Sequence, residues 1–141
     1  MKMPDYFHAI GASLGLAAMF VTAISTTSAA TEALSAMSQP AGLHVQMQSE
    51  LEPLAINQMH SWVIRVQDSQ GDPVTDARIS VDGGMPAHNH GLATSPQVTE
   101  NLGEGRYRLE GVRFHMNGEW ELRLQIESAD VPYRAIFTLT L

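Results

Sequence analysis

His88 and His90 stand two residues apart in Gly83-Gly84-Met85-Pro86-Ala87-His88-Asn89-His90-Gly91, the densest chemical signal in the 141-residue chain. In extended backbone, side chains two apart share a side with Cα atoms roughly 6.6 Å apart, so two imidazoles can close on one metal ion. Met85 adds a thioether, and the combination of imidazole and soft sulfur favours copper over zinc, calcium or magnesium. The same residues admit a plainer reading, in which the histidines bond to backbone carbonyls and Met85 plugs the end of a fold.

Composition narrows the alternatives. The chain has no cysteine, which removes disulfides, cysteine zinc sites, iron–sulfur clusters and thiol nucleophiles. Its net charge is −7 and Lys2 is the single lysine, so clustered cations for a nucleic-acid backbone are missing and no nucleic-acid partner is expected. Neither GxxxxGK[ST] nor GxGxxG occurs, and no nucleophile motif stands out, so the expectation is a binding protein rather than an enzyme.

The elements that must position the loop have a period of two. Leu43, Val45 and Met47 alternate with polar residues, and so do His60, Trp62, Ile64 and Val66. A turn at Ser69-Gln70-Gly71-Asp72-Pro73 precedes a short strand over residues 77–82. After the 83–96 loop, strands at 97–102 and 106–114 meet across Gly103-Glu104-Gly105. Strands at 119–127 and 134–141 complete the set, with Trp120, Leu122, Leu124 and Ile126 on one side. Seven short strands with turns every 8–12 residues predict a seven-stranded antiparallel immunoglobulin-like β-sandwich, all-β, over residues 43–141. Tyr107 and Leu109 differ in parity from Val112 and Phe114, and a bulge at Glu110-Gly111 would bring all four inward. Met116 then continues the inward row and His115 points out. Trp62 and Trp120 fall on core parity. Glu100, Glu104, Glu119, Glu121 and Glu127 read as a solvated acidic surface.

If each connection reverses the chain, three segments arrive at one end of the sandwich: Met59/His60, Met85/His88/His90 and His115/Met116. His44 falls at the other end. The candidate metal ligands are therefore Met85, His88, His90, Met116 and His60, with His115 and Met59 expected to be exposed. His60 and Met116, on inward parity, also fit simple core packing.

Residues 1–30 read as a signal peptide: Lys2, an apolar Ala9–Ile24 stretch, then Ser25-Thr26-Thr27-Ser28-Ala29-Ala30 with a cut after Ala30. The alternative is a weak membrane anchor, shorter than the roughly 20 apolar residues of a span. Residues 31–42 read as a flexible leader.

Met59-His60-Ser61-Trp62, the Gly71-Asp72-Pro73-Val74 turn, the Gly83–Gly91 loop, Gly103-Glu104-Gly105-Arg106-Tyr107 and Phe114-His115-Met116-Asn117-Gly118-Glu119-Trp120 resemble the YtkA-like domains, grouped also with FixH-type proteins. The resemblance spans about residues 43–141. Leu92-Ala93-Thr94-Ser95-Pro96 departs from it by lacking a first proline, and Glu119 stands where an apolar residue is expected. The resemblance implies an exported or inner-membrane-tethered bacterial β-sandwich facing the periplasm, with Met85, His88, His90 and Met116 at its family positions. It further implies copper, as Cu(I) or Cu(II), and a chaperone-like role beside a membrane partner such as an oxidase or transporter.

Overall fold

The computed structural model describes residues 33–141; the expected signal segment, residues 1–30, lies outside the described residues. The described chain is all-β, in two antiparallel sheets. Nine strands run in order: β1 Leu34–Met37, β2 Leu43–Ser49, β3 His60–Asp68, β4 Arg78–Met85, β5 His90–Gly91, β6 Gln97–Gly103, β7 Arg106–Val112, β8 Glu119–Ser128 and β9 Val131–Thr140. One sheet has the order β1-β2-β3-β7-β6 and the other β5-β4-β8-β9.

The two strands beyond the expected seven have physical reasons. β1 lies where a flexible leader is expected, yet Leu34 and Ala36 are half-buried against the core and the strand pairs with β2 from Leu34↔Met47 to Met37↔His44. Its small and polar side chains hide a strand that is held by backbone bonds and by Ser35 Oγ···His44 Nε2 at 2.7 Å. β5 is a two-residue bridge inside the histidine loop. The final hairpin also turns earlier than Pro132 suggests. Ala129 and Asp130 both take positive φ (49° and 61°), which closes a two-residue turn of the kind that suits strand twist.

Alternation builds the core. Leu43, Val45 and Met47 from β2, Trp62, Ile64 and Val66 from β3, and Trp120, Leu122, Leu124 and Ile126 from β8 are all buried. The bulge falls where parity demands it: His60 pairs Val112 while Trp62 pairs Leu109, so β7 spends one extra residue there. Gly111 takes φ 85°, a region a side chain would strain. Tyr107, Leu109, Val112 and Phe114 consequently all face inward.

Tyr107 also locks the β3–β4 connection. Its hydroxyl donates to the Val74 carbonyl at 2.7 Å and accepts from the Ala77 N–H at 3.0 Å. This bond pair fixes the chain before it enters the strand that ends in the histidine loop. Tyr107→Phe removes both bonds and orphans two half-buried backbone groups. It should lower stability by about 1–2 kcal/mol, read as a lower urea midpoint with an unchanged denaturant slope.

Candidate metal site

The histidine loop is a tight turn rather than extended backbone. Pro86 opens a single 3-10 turn, Pro86–His88, and Asn89 takes the left-handed conformation (φ 50°, ψ 42°) that asparagine tolerates. The Asn89 N–H returns to the Pro86 carbonyl at 3.3 Å, and His90 then pairs back onto Met85. Glycine is required at position 84, because a Cβ there would lie 2.6 Å from the His90 carbonyl oxygen. The turn still brings the two imidazoles together, stacked with centroids 5.8 Å apart and planes at 22°.

A chain of rings runs inward from that pair. His90 meets His115 at 5.2 Å, and both lie against Trp120, at 6.0 Å and 5.3 Å. Trp120 packs on Phe114 at 5.2 Å, and Phe114 on His60 at 5.6 Å. The three segments therefore do meet at one end of the sandwich. His88, His90 and His115 form the outer group, while His60 sits behind Phe114 and Trp120.

Two orientations differ from the parity reading. Met116 does not continue the inward row: it is 40% exposed, whereas His115 is half-buried against Trp120. The reason is that β7 stops at Val112, and residues 113–118 cross to the other sheet as irregular chain in which a period of two has no meaning. Trp120 holds that crossing by donating its Nε1–H to the Met116 carbonyl at 3.0 Å. Met59 is exposed at 60%, as a residue ahead of the strand start should be. Met85 is 1% exposed, and its Cε lies 2.6 Å from where a Cβ on Gly118 would stand.

His115 is the residue that strand parity passes over, and the signal for it was the Asn117-Gly118 pair, which ends the strand pattern before Trp120. Its Nδ1 is buried with no hydrogen-bond partner among the described residues. Among the described residues, no three His, Cys, Asp or Glu side chains converge as a ready-made ion-binding group. The spacing nonetheless suits one, since two imidazoles sharing a tetrahedral ion have centroids about 5 Å apart. Stacked planes keep the His88 and His90 nitrogens side by side, so closing on an ion takes rotation of the exposed His88 ring.

The nearby carboxylates are committed elsewhere. Arg123 reaches Asp82 at 2.8 Å and Glu121 at 3.4 Å along an open cleft of about 330 Å³ that His90 and Asn89 also line. The Arg123 hydrogen bond holds the Asp82 carboxyl below its usual range. The two carboxylates on that cleft, Asp82 and Glu121, are thus engaged by Arg123 beside the imidazole group.

His60 is 7% exposed. Its Nδ1 bonds the Gln58 carbonyl at 3.0 Å, which makes Nδ1 the protonated nitrogen of the neutral ring, and Nε2 is buried without a partner among the described residues.

A model of the YtkA-like family matches residues 37–125. The chain belongs to the YtkA-like family. No curated protein matches it, and no solved structure does. The family match takes in the histidine loop and the 113–118 crossing of this YtkA-like domain and ends inside β8.

Burial holds His60 of the YtkA-like domain below the ordinary value of 6.5, against a smaller opposing effect of the Gln58 bond. As pH falls, the unfolded chain therefore takes up this proton first. The stability that the neutral ring confers is complete above about 6.5 and declines below it, toward the lower folded-state value. Urea midpoints between about pH 7.5 and 5.5 should fall more steeply in the unsubstituted protein than in His60→Phe, which keeps an aromatic ring on Phe114 without a titrating group.

Proposed function

We propose that this YtkA-like domain is a periplasmic metal-binding module, a copper carrier or buffer, with His88 and His90 as loop donors and His115 as the third imidazole. The observation that carries the reading is the His90 ring, 5.8 Å from His88 and 5.2 Å from His115, on the rim of a buried indole. Neutral imidazoles accept Cu(II), and the methionines at this end supply the softer donor that Cu(I) favours. The exposed His88 and an irregular loop suit an ion that is passed on rather than one that is permanently held. His60, behind Phe114, presents a carbonyl-held Nδ1 and a free Nε2, the posture of a metal-ligating histidine. A cleaved signal over residues 1–30 would release the domain into the periplasm, and a retained anchor would hold it on the inner membrane facing the periplasm. The two packed antiparallel sheets support an immunoglobulin-like arrangement, and the FixH-type grouping would add a role beside a membrane oxidase or transporter.

One observation favours a second reading, a metal-free interaction domain for such a membrane complex. Ile56, Met59 and Met116 are all exposed. The Asn57 N–H to Phe114 carbonyl bond, 2.7 Å, ties their two segments together at this end. An apolar rim of that kind is a contact surface whether or not an ion sits within it.

Copper titration separates the two. The unsubstituted protein should bind Cu(II) stoichiometrically, and His88→Ala/His90→Ala should weaken it by at least about tenfold. His115→Ala should weaken it in the same direction. Equal copper affinity in the double variant would reject the metal reading, and co-purification with a membrane complex regardless of copper would favour the second.

A further inference from the structure

We infer that Met116, not the loop methionine Met85, is the thioether that meets a soft ion at this site and sets its capacity for Cu(I); the inference rests on the metal-binding reading above.

Met85 stands in the histidine loop, but its sulfur is shut away. The side chain is 1% exposed, and its terminal methyl occupies the space over Gly118, 2.6 Å from an ideal Cβ there. Gly118 is itself pinned by a reciprocal pair of backbone bonds to Leu141, at 3.0 Å and 3.1 Å. Packed in this way, Met85 belongs to the core cluster and presents almost no surface to an incoming ion. Met85 is thus a packing residue whose job is to support residues 113–118 from below.

Met116 has the opposite situation. It is 40% exposed, it follows His115 directly, and its carbonyl is fastened to the Trp120 indole at 3.0 Å. The same indole carries His90 and His115 on its ring at 6.0 Å and 5.3 Å. The Met116 backbone is therefore fixed at the rim of the imidazole group, while three rotatable side-chain bonds leave its sulfur free to swing. Imidazole alone serves Cu(II), whereas a thioether shifts preference toward Cu(I). A site with one reachable thioether then takes both oxidation states, and that residue decides the balance between them.

The test compares three volume-conserving substitutions by competition titration of Cu(I), under anaerobic reducing conditions, and of Cu(II). Met116→Leu should weaken Cu(I) at least about tenfold and leave Cu(II) within about twofold. Met85→Leu should keep both affinities within about twofold and change thermal stability only, and Met59→Leu, an exposed thioether outside the ring group, should change neither. Loss of Cu(I) binding in Met85→Leu equal to that in Met116→Leu, or no loss in Met116→Leu, overturns the inference while leaving copper binding intact. Failure of the unsubstituted protein to bind either ion overturns both.

Discussion

Everything at the histidine end depends on the indole of Trp120. It is fully buried, so its N–H must find an acceptor inside the protein or carry the cost of an unsatisfied donor, about 1–3 kcal/mol. The acceptor is a backbone carbonyl of the irregular crossing between the two sheets. Together with the Asn57 N–H on the Phe114 carbonyl and the Gly118–Leu141 pair, that bond positions a stretch that lies outside the strands. The two faces and edges of the same ring are then shared among Phe114, His90 and His115. Core packing and the candidate site are not separate structures here. They are two sides of one aromatic residue.

The bulge in β7 serves the same end from the other sheet. Without the extra residue at Glu110-Gly111, Val112 and Phe114 would face solvent, and the ring that separates His60 from Trp120 would be lost. Gly111 makes the bulge affordable because its φ of 85° suits no side chain. Tyr107, two strand positions before Leu109 on the same inward row, ties this strand to the β3–β4 connection. The approach of β4 and the exit of β7 are therefore set by neighbouring residues of one strand.

Much of this was legible in the sequence because strict alternation leaves few choices. The parity break after Leu109 required a bulge, and counting reversals brought Met59/His60, the histidine loop and His115/Met116 to one end. The failures occur where alternation stops carrying information. β1 has only Leu34 and Ala36 to mark a strand, amid serines that look like a leader. The histidine loop closes through a 3-10 turn and a left-handed asparagine, neither of which leaves a periodic trace. The exchange of roles between His115 and Met116 follows from extending the β7 pattern past Val112, into residues whose orientation is dictated by a hydrogen bond to Trp120 rather than by strand geometry. A side-chain bond to backbone of this kind depends on where the buried indole is packed, which one-dimensional periodicity does not encode.

Along one flank, the two sheets are stitched together by Gln39 and Arg134, whose backbones exchange N–H···O bonds of 2.7 Å and 2.8 Å. That seam joins the β1 side of one sheet to β9 of the other and acts as the spine of a book. On the opposite flank the sheets meet where β4, next to the outermost β5, contacts β6 across the sandwich. The imidazole loop joins β4 to β5 on that side, so it lies on the flank away from the seam, at the margin of the second sheet.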